Sequence, residues 1–195
     1  MISFNLDNTI EAAAYLIKQQ PGHRENYMRL LKLLYLADRR SLQERGVPIC
    51  GDAPYAMAEG PVPSRTLDLI KGKDQASGKW EKFIEKTGYN VHLRVDPGNL
   101  HLSRAEIGIL EQVADCFRSL DPWALVDWCH ANIPEYEKNW KDRGSKKCRR
   151  IPFEDVLSEI GRLDDAPRIV AEINTDAAFS RLFSDHMPTS RKHGA

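Results

Sequence analysis

The sequence predicts a mostly α-helical domain of the α+β class, organised around one central buried helix and carrying a small antiparallel β-hairpin. Three observations carry this expectation. Apolar residues recur at helical spacing through most of the chain. The segment between Tyr27 and Leu42 is apolar on so many sides that neighbours must cover it from several directions. Strict alternation of apolar and polar residues is confined to 89–95, just before a Pro-Gly turn signal.

Taken in order, Asp7 or Asn8 is placed to cap a first helix whose Ile10, Ala13, Ala14 and Ile17 share a face. Pro21-Gly22 ends it. The central helix is expected over 24–45, with Glu25, Arg29, Lys32, Arg39 and Arg40 as its remaining polar strip and Gly46 as its stop. Gly51, Pro54, Gly60, Pro61 and Pro63 predict an irregular stretch until a short helix over 64–70. Another short helix is expected over 79–86. The hairpin then places Tyr89, Val91, Leu93 and Val95 on one face and returns through Leu100-His101-Leu102. Ser103 and Glu106 form a capping box for a helix to about Arg118. Helical segments follow over 122–130, 135–140, 152–161 and 167–183, in a single domain spanning 1–186, with a mobile tail over 187–195.

Composition limits the function classes. The chain has 195 residues, 42% of them hydrophobic, with Lys+Arg and Asp+Glu at 28 each and a formal net charge of zero. No global field draws it to nucleic acid or anionic lipid, so direct DNA binding is not expected. Cys50, Cys116, Cys129 and Cys148 are widely spaced and read as reduced thiols. With no leader-like segment and no long apolar run, a cytoplasmic protein without membrane contact is expected.

Reaction chemistry finds few footholds. His92 and His101 share a hairpin face but lack a third ligand, so no metal is expected. Cys129 and His130 are adjacent on a helix and point about 100° apart, which separates a nucleophile from its base. No Gly-rich phosphate loop is present, and no cofactor is expected. Asp38 lies on the apolar stripe of the central helix and needs donors there. The simpler reading has it accept hydrogen bonds from backbone N–H groups or an Arg and so fix the Gly51 to Gly60 loop; the sharper one makes it an acid or base with Glu59 or His130. Residues 141–150 carry six positive residues and one acid, among them Lys146, Lys147, Arg149 and Arg150, and could receive an acidic partner surface.

The run Lys32-Leu33-Leu34-Tyr35-Leu36-Ala37-Asp38, then Gly46-Val47-Pro48-Ile49 with Gly51-Asp52, then Tyr55-Ala56 and Gly60-Pro61-Val62, resembles the SocA-like Panacea domain of antitoxins. The segment from Leu125 to Trp140 is similar to the family's helix with a His and a downstream Trp, here His130 and Trp140. The resemblance implies a non-enzymatic bacterial or phage antitoxin, with no catalytic residues, that neutralises a cognate protein toxin, encoded by an adjacent gene, through direct binding. It also implies an alternative role as an adaptor delivering that toxin to a ClpXP-type protease. A small hydrolase-like enzyme using Asp38 in a cleft is the rival from a different class. Candidate contact or motif residues are Asp38, Tyr55, Glu59, Gly60, Pro61, Arg65, Trp123, His130, Trp140 and the four basic residues of the loop.

Overall fold

The computed structural model describes residues 4–171, and the structural statements below concern these. In chain order the elements are α1 (Leu6–Lys18), β1 (Arg24–Asn26), α2 (Tyr27–Arg45), β2 (Pro54–Met57), β3 (Gly60–Pro63), α3 (Ser64–Ile70) and α4 (Ser77–Trp80). There follow β4 (Ile84–Thr87), β5 (Asn90–Leu93), α5 (Arg104–Cys116), α6 (Pro122–Asn132), α7 (Pro134–Lys141), β6 (Arg149–Arg150) and α8 (Phe153–Glu159). The chain is helical again over 166–171. The fold is mostly helical α+β, with two antiparallel three-stranded sheets ordered β1-β5-β4 and β3-β2-β6.

As expected, α2 is central. Leu30, Leu31, Leu33, Leu34, Leu36 and Ala37 are all buried, and the helix packs against α1, α5, α6, α3, α8 and β3. Gly46 ends it in the left-handed conformation, at φ 78°, with its N–H donating to the Leu42 carbonyl. The capping box of α5 forms through both Ser103 and Glu106.

Several expectations are corrected. Asn5, two positions before the nearer anticipated cap, accepts the Asn8 N–H and starts α1. The central helix starts at Tyr27: Arg24–Asn26 pairs with β5 as a strand, and Asn26 caps the helix through the Met28 and Arg29 N–H groups. The Gly/Pro stretch is an ordered hairpin, with Pro54 opposite Pro63 and Ala56 opposite Pro61. Pro61 and Pro63 are tolerated because β3 is an edge strand of its sheet and needs no outward N–H, and Pro54 is tolerated as the first residue of the central strand β2.

Helix α4 stops at Trp80, and Ile84–Thr87 is extended, because its partner β5 completes Ile84's burial across a two-residue turn at Gly88-Tyr89. Residues 100–102 therefore form no strand. Tyr89 sits in the turn at 75% exposure and Val95 is exposed, so only part of the alternating face is buried. Of the helix expected over 167–183 only 167–171 falls within the described residues, where the chain is helical, and the remainder and the expected tail over 187–195 lie outside them.

Candidate functional site

The resembling motif residues converge on the β2–β3 hairpin, which lies along α2. At its closed end, Gly60 adopts φ 96°, and a Cβ there would approach Lys32 Cε to 3.1 Å. Lys32, expected on a polar strip, is fully buried. Its Nζ donates to the Pro61 carbonyl at 2.9 Å, anchoring β3 to the helix. Burial pulls the lysine down from 10.5 to about 8, with nearby Cys129 and Glu59 acting in the opposite direction. Glu25 and Arg29, also assigned to the polar strip, are a buried ion pair, and Arg29 also donates to the Leu120 and Phe117 carbonyls.

Tyr136 on α7 closes the same end. Its hydroxyl donates to the Met57 carbonyl at 3.0 Å. With its only proton so placed, the hydroxyl oxygen is the acceptor for His130 Nε2 at 3.1 Å, which makes Nε2 the protonated ring nitrogen. Burial raises the phenol to about 12. His130, Tyr136 and Trp140 form a ladder, with ring centroids 5.0 Å and 6.3 Å apart, and Arg143 lies 3.4 Å over the Trp140 ring.

At the open end, Asp38 accepts the N–H groups of Ile49, Cys50 and Gly51 at 2.9, 2.7 and 3.0 Å. The backbone-holding reading of this carboxylate is therefore the one realised. Burial pushes it up to about 6 against the pull of those N–H groups, and Asp52 adds a like charge. Asp52 takes the N–H groups of Arg65 and Thr66 and the Thr66 hydroxyl, so it caps α3, whose own preceding residue Pro63 provides no side-chain cap. No hydrogen bond joins Asp38 to Glu59 or His130. Those two lie at the other end of the hairpin, so the acid–base pair considered above is not assembled.

Between the ends, Glu135 is buried and accepts the Tyr35 hydroxyl and Arg39 Nε, both at 2.7 Å, tying α7 to α2. Burial beside this carboxylate drives the Tyr35 phenol well above its ordinary value. Sequence reasoning missed Glu135 and Tyr136. Tyr136 stands four residues before Trp140, an aromatic pair at helical spacing, and that was a usable signal.

The other candidates are dispersed. Tyr55 is half-buried in β2, opposite Val62 and Arg150. Glu59 is exposed in the β2–β3 turn. Arg65 is exposed, pairs with Asp74 at 2.8 Å and covers the Phe4 ring. Trp123 is 65% exposed at the start of α6. Lys146 and Lys147 are exposed in the loop, while Arg149 and Arg150 form β6 against β2. Among the described residues no group of three or more His, Cys, Asp or Glu could hold a metal, and no helix is long and apolar enough to cross a membrane.

Fold and site together define an α+β protein in which the buried charged groups of the motif hold backbone in place. The chain belongs to the antitoxin SocA-like Panacea domain family, whose model matches residues 30–140, a span containing α6, the hairpin and most of α2 and α7. No curated protein and no solved structure matches the chain.

Proposed function

We propose that this protein is an antitoxin that neutralises a cognate protein toxin, the product of an adjacent gene, by direct binding and without turnover. One observation carries the reading: within the family-matched span, Lys32, Asp38, Asp52 and Tyr136 each hold main-chain atoms of the hairpin or its flanks. Groups so engaged stiffen a recognition surface and leave little capacity for proton transfer. A preorganised backbone lowers the ordering cost of association, which suits a molecule that must bind tightly.

The test is co-expression with the neighbouring reading frame. Growth arrest by the neighbour alone, relieved by this chain with recovery of a stable complex, is the expected outcome. A harmless neighbour, or one that stays toxic while this protein accumulates, removes the proposal.

A further inference from the structure

A cavity of about 480 Å3 opens at the hairpin's open end, between α2, the segment around Pro48, β6 and α8. That volume accommodates one large side chain with its flanking backbone. The walls are apolar, built from Leu42, Pro48, Pro54, Ile151, Phe153 and Val156. Two cations border it from opposite sides, Arg39 on α2 and Arg150 on β6. Arg39 uses Nε and Nη2 on Glu135, and its Nη1 has no partner among the described residues.

The lining carries two arginines and three acids, which differ in how far each is already engaged. Arg150 lines it, and Lys146 and Lys147 precede it in the loop; none of the three side chains has an ion pair among the described residues. Asp38 and Asp52, the acids within the lining, already accept backbone N–H groups. Glu154 is the remaining exposed acid there. Arg150 at the wall, with Lys146 and Lys147 just before it in the chain, gives the apolar hole one basic edge without ion pairs, complementary to an acidic segment that carries an apolar anchor. A phosphate backbone has no such anchor, and the loop lacks interleaved aromatics for stacking bases.

We propose that this cavity seats an acidic segment of the partner protein: one aliphatic or aromatic side chain enters between Pro48, Ile151 and Phe153, and flanking carboxylates pair with Arg150, Lys146 and Lys147. The inference rests on the neutralisation reading and names the contact face and the partner chemistry. Arg150 is the central contact, because strand pairing with Tyr55 fixes its backbone at the cavity wall.

The experiment measures affinity of the full chain for the neighbouring gene product, in low and high salt. The variants are Arg150→Glu, the triple Lys146→Glu/Lys147→Glu/Arg150→Glu, and the control Lys71→Glu/Lys73→Glu, exposed positions outside the cavity. The triple variant is expected to lose at least roughly tenfold in affinity at low salt, less at high salt, with melting temperature unchanged and the control within twofold of wild type. Phe153→Ala probes the apolar anchor, and a salt-independent loss is expected. Wild-type affinity in the triple variant overturns the inference while leaving neutralisation intact. A wild-type chain that neither binds nor neutralises removes the underlying reading instead. Charge reversal that changes molecular mass in the absence of the partner assigns the cavity to a second copy. Exposure of Phe153 to hydrogen exchange on deleting 172–195 assigns it to this chain's own residues. Either of these last results overturns the inference.

Discussion

Replacing Lys32 by Met tests whether a buried ammonium holds the hairpin, because Met keeps the length and loses the charge. In the folded chain Lys32 releases its proton near pH 8 instead of 10.5. Below pH 8 both states keep the proton and the penalty of burying it is constant. Between pH 8 and 10.5 the unfolded chain holds a proton that the folded chain has lost, so wild-type stability rises with pH relative to the variant. The relative gain from pH 7 to pH 10 is about 2 to 3 kcal/mol. At pH 7 removal of the charge relieves about 3 kcal/mol, and the orphaned Pro61 carbonyl costs about 1 to 3 kcal/mol, so the variant is expected to be nearly as stable as wild type. Urea unfolding of both proteins at pH 7, 8, 9 and 10 measures the difference, in which the background of other buried phenols and thiols largely cancels. Parallel pH profiles would refute the reasoning, since a lysine exposed to solvent gives no such divergence.

Three further outcomes are expected. Gly60→Ala should destabilise by about 2 to 3 kcal/mol, against about 1 kcal/mol for Gly88→Ala, whose φ is also positive but whose Cβ meets nothing; equal losses in thermal unfolding would show that the Lys32 contact is irrelevant. Asp38→Asn should cost about 2 to 3 kcal/mol, because an amide turns a donor toward one of three backbone N–H groups; denaturant midpoints within error of wild type would contradict the backbone-holding role. Tyr136→Phe should cost about 1 to 2 kcal/mol by leaving the Met57 carbonyl without this donor, and a denaturant midpoint within error of wild type would show that the phenol does not clamp the turn.

The helices were legible where a local rule decides them. Gly46 stops α2 because a left-handed terminus favours glycine, and Ser103 with Glu106 announces α5, since both partners of that box are three residues apart. Asp38 was legible as an acceptor because a carboxylate on an apolar stripe must find donors. Strands decided by distant partners were not legible. Residues 54–63 read as irregular through their prolines, yet Pro61 and Pro63 fall on the edge strand β3 and Pro54 on the first position of β2, where the missing N–H is tolerated. Residues 84–87 carry a helix-compatible Ile-Glu-Lys, and only pairing with β5 makes them extended. Burial of Lys32 and Glu135 was hidden for a related reason. Their partners lie 29 and about 100 residues away, whereas helical spacing reports only which residues share a face.

The sheet β3-β2-β6 links the two kinds of residue distinguished above. Its β3 edge is fastened to α2 by Lys32, and its β6 edge carries Arg149 and Arg150. Substitutions on the β3 side act on a partner only by loosening the frame, so affinity should fall in step with stability across Gly60→Ala, Asp38→Asn and Tyr136→Phe. Substitutions on the β6 side remove contacts from an intact frame, so affinity should fall while stability stays fixed. Plotting binding free energy against unfolding free energy for both sets separates the roles. If Arg150→Glu falls on the line traced by the β3-side variants, the basic edge belongs to the frame and the contact face lies elsewhere.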